Sequence, residues 1–161
     1  MKSAQKGYGH SQNEVALYYN NYYESHKTSV KNKYEAFKWY RRGAISREKY
    51  AKYNLARLYE KDTGISLNYE KAFILYYELA TLQEPYALAC NEIGRSFLGG
   101  HGVKKDAKQA VLWFKKGANL NEPWSIDNLA YCYENGEGVK KDLEKAEKLR
   151  KRAEKIFNEK D

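Results

Sequence analysis

The segment FLGGHGVKKD at residues 97–106 contains the residue types that could most readily do chemistry. A glycine-rich backbone can cradle a phosphate or an oxyanion, and His101 could transfer a proton. The segment ENGEGVKKD at residues 134–142 repeats the glycines and the KKD but lacks the histidine. A repeated structural turn explains that difference, whereas a single catalytic site does not. We therefore interpret both segments as turns.

The remaining reactive side chains are isolated in the sequence. His10, His26 and His101 are the only histidines, and none has a nucleophile or a carboxylate at a recurring spacing. Cys90 and Cys132 have no second cysteine or histidine at metal-ligand spacing, and two distant cysteines do not form a disulfide framework. We predict buried, unreactive thiols, no catalytic residue, no metal and no cofactor, and thus a protein that is not an enzyme.

Composition and charge favour a helical protein and leave the partner class open. Of 161 residues, 42% are hydrophobic and 31% charged, and only two are proline, so few residues interrupt helices. The net charge is +8, and residues 1–50 carry ten basic and four acidic groups. Such an excess attracts nucleic acid or another polyanion, but it is also typical of an ordinary solvated face.

The N-terminal sequence MKSAQKGYGHSQNE has no apolar core of the kind found in a signal peptide. No segment contains the roughly 20 consecutive apolar residues that a membrane span requires. We therefore expect a cytoplasmic protein without a membrane segment.

The strongest pattern in the chain is an internal repeat. Residues 93–118 match residues 129–154 at a shift of 36, and a third copy at residues 55–80 precedes its counterpart by 38 positions. A fourth, looser copy begins at Val15. We predict repeat units at 11–46 (degenerate), 50–83, 86–121 and 124–159 in a single domain, with 1–9 as a remnant or cap of a preceding unit. The clearest pairs of matching positions are Gly100 and Gly136, Gly102 and Gly138, Asp106 and Asp142, and Ala110 and Ala146.

Each unit has the pattern of two antiparallel helices. In the first helix, apolar or small residues such as Leu55, Ala56 and Tyr59 fall on one stripe. The paired glycines can adopt positive φ in the connecting turn. Near the start of the second helix, a side-chain oxygen can accept backbone N–H groups, and small residues one turn later permit close helix crossing. The predicted caps are Asn32, Asn68, Asp106 and Asp142, and the predicted crossing positions are Ala36, Ala72, Ala110 and Ala146.

With these residues, the chain resembles the Sel-one-like repeats, a solenoid family related to the tetratricopeptide repeats. The resemblance is most specific in residues 87–154 and weakest in 11–44, where the loop SHKTSVK lacks both glycines. It implies an all-α fold, a right-handed α-solenoid of about four helix-turn-helix units. In such a solenoid the first helices line a concave surface.

By analogy with tetratricopeptide relatives, three positions of each first helix should point into that surface and contact a partner. These twelve residues are Asn13, Leu17, Asn20, Tyr53, Arg57, Glu60, Asn91, Arg95, Leu98, Asp127, Tyr131 and Glu134. Tyrosine and arginine often dominate interface energies, so this mixed set favours protein recognition.

Three classes of function remain open at this level. We favour a non-catalytic adaptor or scaffold that binds a protein or peptide through its repeat surface. A more specific version is an inhibitor or immunity-type protein that sequesters one enzyme, a role that some members of this family have. The alternatives are a basic binder of nucleic acid or another polyanion, and the regulatory part of an enzyme encoded elsewhere.

Overall fold

The computed structural model describes residues 9–26, 30–61 and 66–159, with only the backbone at residues 9, 20–26 and 30–32. These residues form eight helices and no strand, so the all-α prediction is confirmed. The helices are α1 (Gly9–His26), α2 (Val30–Ile45), α3 (Lys49–Glu60), α4 (Tyr69–Ala80), α5 (Ala87–Gly99), α6 (Ala107–Asn119), α7 (Pro123–Asn135) and α8 (Leu143–Asn158).

The chain divides into two compact units, Met1–Leu75 and Tyr76–Asp161, with the boundary inside α4. We call them unit 1 and unit 2. The core of unit 1 is built around Trp39, Tyr40 and Leu55. The core of unit 2 is built around Phe114 and Ile126, both without exposed surface. Each unit therefore buries apolar side chains of its own.

Side-chain oxygens cap the N-termini of second helices, as the repeat predicts. The Asp106 carboxylate accepts hydrogen bonds from the backbone N–H groups of Lys108 and Gln109, both at 3.0 Å. Asp142 accepts from Lys145 N at 2.9 Å, and Asn68 accepts from Lys71 N at 2.8 Å. These three caps are confirmed.

The prediction that Asn32 caps α2 is wrong. This helix already begins at Val30, so Asn32 lies within its first turn. The degenerate first repeat has no glycine turn in the sequence to fix where its second helix starts, which explains the misplaced boundary.

Glycines with positive φ end the first helices of unit 2. Gly100, directly after α5, has φ of 75°, and Gly136, directly after α7, has φ of 73°. Their N–H groups donate to the carbonyls of Ser96 and Cys132, which completes the last turn of each helix. Gly102 and Gly138 both have φ of 70°. The prediction for all four glycines is confirmed; the third-repeat equivalent, Gly64, lies outside the described residues.

Small residues let helices and turns approach closely. Ala36, Ala72, Ala110 and Ala146 are all buried, with at most 4% of their surface exposed, which confirms the predicted crossing positions. A β-carbon on Gly138 would overlap the carbonyl oxygen of Ala107 at the start of α6. The turn between α7 and α8 therefore packs against the second helix of the preceding repeat.

A recurring basic contact, which the sequence did not reveal, joins consecutive second helices of unit 2. Lys116 Nζ donates to the carbonyl oxygen of Ala80 at 2.6 Å, and Arg152 Nη2 donates to that of Ala118 at 2.7 Å. Lys116 and Arg152 are 36 residues apart, one repeat length. Each cation thus satisfies a C-terminal carbonyl of the preceding second helix and opposes its negative helix end.

We predict that Gly138→Ala destabilises the protein more than Gly136→Ala. Both substitutions place a side chain at positive φ, which costs about 1–2 kcal/mol. A β-carbon on Gly136 would have its nearest neighbour at 3.5 Å, an ordinary contact, whereas one on Gly138 meets backbone. The overlap should add about 1–3 kcal/mol, measurable as the free energy of unfolding in urea. Equal losses in the two variants would show that the close approach is unimportant.

We also predict that Ser125→Ala leaves stability unchanged or raises it by up to about 1 kcal/mol. The Ser125 hydroxyl is fully buried and has no hydrogen-bond partner among the described residues. Ser96→Ala is the matched control, because Ser96 is also buried but its hydroxyl donates to Glu92 O at 2.9 Å. That variant should lose stability in thermal unfolding. A clear loss for Ser125→Ala would indicate a partner for its hydroxyl.

Candidate interaction surface

The main candidate surface is a shallow depression of about 420 Å³ in unit 2. It is formed by first helices α5 and α7 and by the turns that follow them. Its lining residues are Arg95, Leu98, Gly99, Lys105, Asn128, Tyr131 and Glu137. The structure thus brings together Arg95, Leu98 and Tyr131 from the predicted set. The repeat pattern of the first helices predicted these three residues. The other four line the depression from adjacent helix positions or from the turns.

An amide pair joins the two first helices beside this depression. Asn128 Nδ2 donates to Asn91 Oδ1 at 2.8 Å, and Asn91 Nδ2 donates to Glu92 Oε1 at 3.4 Å. The hydrogen bond between Asn91 and Asn128 joins α5 to α7. Because Asn91 is only 4% exposed, it has almost no surface left for a partner. Asn128 is half-buried and lines the depression, and its hydrogen bond to Asn91 uses the amide nitrogen and not the carbonyl oxygen.

The exposed side chains of the depression combine charge with apolar area. The Arg95 guanidinium is held by Glu92 at 2.9 Å, yet 61% of the side chain remains exposed. Tyr131 is 41% exposed, and Leu98 is half-buried beside it. Such an arrangement offers an aromatic contact, a cation and hydrogen-bonding groups on rigid helices, which suits a polypeptide better than a small apolar ligand.

Asp127 and Glu134, two further predicted positions, do not line the depression. Both bind Arg150 of α8, Asp127 at 2.8 Å and Glu134 at 2.5 Å. The Glu134 hydrogen bond, with the charge of Asp127, raises the pKa of the Arg150 guanidinium above its usual value. Both carboxylates therefore share one cation within the last repeat.

The predicted positions of unit 1 are divided in a similar way. Asn13 is 4% exposed and accepts a hydrogen bond from Asn54 Nδ2 at 3.4 Å, so an amide pair joins the first helices here too. Leu17 packs against the core of unit 1. Arg57 is exposed, whereas Tyr53 and Glu60 are half-buried and engaged within the chain. The side chain of Asn20 lies outside the described residues.

The candidate reactive groups are dispersed. His10 and His101 are exposed, and no group of three potential metal ligands converges among the described residues. Cys90 and Cys132 are buried free thiols, as predicted. Burial raises the pKa of Cys132 to about 11 and also raises that of Cys90. Within the described part of the chain, no helix has both the length and the apolarity to cross a membrane.

Comparison with known proteins identifies the repeat. The family model of the Sel1 repeat matches residues 9–45, 49–83, 87–122 and 125–154, which together make up most of the chain. The chain belongs to the Sel1 repeat family. Proteins of this family generally mediate protein–protein interactions, and the fold is typically a non-catalytic interaction module.

Two solved structures share this fold over 96% of the chain. A Sel1 repeat protein from Oxalobacter formigenes has a TM-score of 0.83 at 30% identity, and the match covers 61% of that protein. A protective antigen of uropathogenic Escherichia coli strains has a TM-score of 0.81 at 26% identity, with 32% of its length covered.

Curated relatives match only part of the chain. Cytochrome c oxidase assembly factor 7A of Xenopus laevis is 35% identical over 69 residues, and assembly factor 7 of Xenopus tropicalis is 33% identical over the same length. The match covers 42% of this chain and 30% of each relative. The similarity is therefore confined to a minority of those proteins.

We predict that both thiols react slowly in the folded protein. The thiolate is the reactive form, and burial both raises the pKa and blocks access. Near pH 8, labelling with Ellman's reagent should be at least about 100-fold slower in buffer than in urea. Rapid labelling of the folded protein would contradict the burial of Cys90 and Cys132.

The raised pKa of Cys132 also predicts a change in stability with pH. Because the pKa of Cys132 is higher in the folded than in the unfolded protein, the protonated thiol contributes to the free energy of unfolding. This contribution is complete below pH 9 and is lost as the pH rises towards 11. The difference in unfolding free energy between the wild type and Cys132→Ala should therefore shrink across that range. A constant difference would show that the thiol titrates normally.

Proposed function

We propose that this protein is a non-catalytic adaptor that binds a peptide segment of another protein in the depression of unit 2. The observation that carries the proposal is the convergence of Tyr131, Leu98 and Arg95 with the half-buried Asn128 amide on one exposed surface. Aromatic and arginine side chains supply much of the energy of protein recognition. The general role of Sel1 repeats in protein interaction supports the same function.

The chemistry of the depression suits an extended peptide. Asn128 Oδ1 can accept a hydrogen bond from a peptide N–H, and Tyr131 and Leu98 offer contact area to an apolar side chain. Lys105 and Glu137 come from the turns that follow α5 and α7, so they can select charges on either side of that apolar residue. The inhibitor hypothesis would be a special case in which the bound segment belongs to an enzyme, and it stays a prediction.

Selection from a displayed library of random peptides tests this function whatever the identity of the partner. The wild-type protein should enrich a defined set of peptides. Tyr131→Ala should weaken the affinity for the best of them by about 30-fold, since truncating an interface hot spot costs about 2 kcal/mol. Arg95→Ala should weaken it by a smaller factor. Affinities can be measured by fluorescence anisotropy on variants whose helical circular dichroism is unchanged.

Leu112→Ala is the matched control. Leu112 is 55% exposed on second helix α6 and does not line the depression, so its truncation should leave the affinity unchanged. If Tyr131→Ala and Arg95→Ala bind as tightly as the wild type, the depression is not the binding site.

A further inference from the structure

The positive charge of the protein is concentrated in unit 1. Residues 1–75 contain 14 lysines and arginines and seven acidic residues, a net charge of +7. Residues 76–161 contain 15 and 14, a net charge of +1. The residues that line the depression all belong to unit 2, so this excess of charge lies outside the proposed peptide site.

Part of the charge forms an exposed stripe on helix α2. Tyr34, Lys38, Arg41 and Ile45 follow one another at intervals of four, three and four residues, which places them on one face of a helix. All four are exposed, Tyr34 by 55% and Ile45 by 78%. The stripe is therefore apolar at both ends and cationic in the middle.

Aromatic rings hold the cations of this face in place. Lys38 Nζ lies 5.5 Å from the centre of the Tyr34 ring, and Arg41 Cζ lies 5.8 Å from that of Phe37. Tyr34 and Phe37 are stacked at 6.5 Å. The Phe37 ring meets the Tyr59 ring edge-on at 5.6 Å.

Lys71 of α4 completes the row, with its Nζ 5.6 Å from the centre of the Tyr59 ring. Three cations thus lie along one continuous row of rings that joins three helices of unit 1. We call Tyr34, Phe37, Lys38, Arg41, Ile45, Tyr59 and Lys71 the basic face.

The available hydrogen-bonding groups favour carboxylates as ligands. Lys38 is paired with Glu35 at 2.7 Å, but neither Arg41 nor the adjacent Arg42 has an acidic partner among the described residues. A guanidinium stacked on a ring keeps its N–H edge free, and that edge matches the geometry of a carboxylate.

The same rings argue against single-stranded nucleic acid as the natural ligand. Bases bind to such proteins by stacking on open aromatic faces. Here each ring of the basic face already contacts a cation or another ring, and Trp39 beside it is 8% exposed with Arg42 at 4.8 Å. Of these rings only Tyr34 is largely exposed, so the face offers no series of open rings on which successive bases could stack.

We propose that the basic face binds an acidic amphipathic helix of a partner protein. The helix is about three turns long, since Tyr34 and Ile45 lie about 16 Å apart along α2. Its carboxylates contact Arg41 and Lys71, and its apolar residues contact Tyr34 and Ile45. This second surface goes beyond the peptide site in unit 2 and does not depend on it.

Fluorescence anisotropy with a labelled synthetic helix of about 15 residues, with glutamates along one face and leucines at both ends, tests the proposal. The double variant Arg41→Gln/Lys71→Gln should bind it about tenfold more weakly than the wild type. Ile45→Ser should also weaken it, whereas Tyr131→Ala should not. The altered side chains are exposed, and circular dichroism confirms the fold of each variant.

Lys148→Gln/Lys151→Gln is the matched control. This variant also removes two positive charges, but from exposed positions of α8 where each lysine is paired with a glutamate. It should change the affinity for the helix less than about twofold. Equal weakening in the two double variants would overturn the proposal in favour of general electrostatic attraction. Absence of binding at about 50 mM salt, or tighter binding of a single-stranded oligonucleotide of equal charge, would also overturn it.

Discussion

Close approach of backbone and side chains at positions without a β-carbon sets the geometry of unit 2. Gly94 packs against the ring of Phe114 within one repeat, and Gly117 packs against Ser125 of the next. Gly138 lies against the carbonyl of Ala107, so a turn contacts the second helix of the preceding repeat. At each of these contacts an added β-carbon would overlap its neighbour. The spacing within and between repeats therefore depends on residues that have no side chain.

This spacing is what creates the candidate surface. It brings α5 and α7 near enough for the Asn91 and Asn128 amides to bond, and it places the two following turns side by side. The contacts from Lys116 and Arg152 to preceding helix ends reinforce the same arrangement. Tyr131, Leu98 and Arg95 consequently project from helices that are already fixed before a peptide binds. Less binding free energy is therefore spent on ordering the site.

Features that recur every 36 residues could be predicted from the sequence. The positive-φ glycines, the Asp106 and Asp142 caps and the buried alanines depend on local backbone geometry, so residue type and spacing suffice. Asn32 was misassigned because the first repeat departs from the pattern.

Contacts between helices could not be predicted from the repeat pattern. Asn13 and Asn91 occupy helix positions that suggested exposure, but amide partners on a neighbouring helix bury them. Lys105, Asn128 and Glu137 join the depression only because separate turns and helices meet there. The row of rings on the basic face likewise requires residues far apart in sequence, such as Phe37 and Tyr59.

Chemical-shift mapping by NMR offers the most direct view of whether unit 2 binds peptide in its depression. On titration with a library-selected peptide, the side-chain amide of Asn128 and the resonances of Leu98 and Tyr131 should shift together and saturate at one stoichiometry. Unchanged resonances at these three residues, with shifts on the second helices α6 and α8 instead, would contradict peptide binding in the depression.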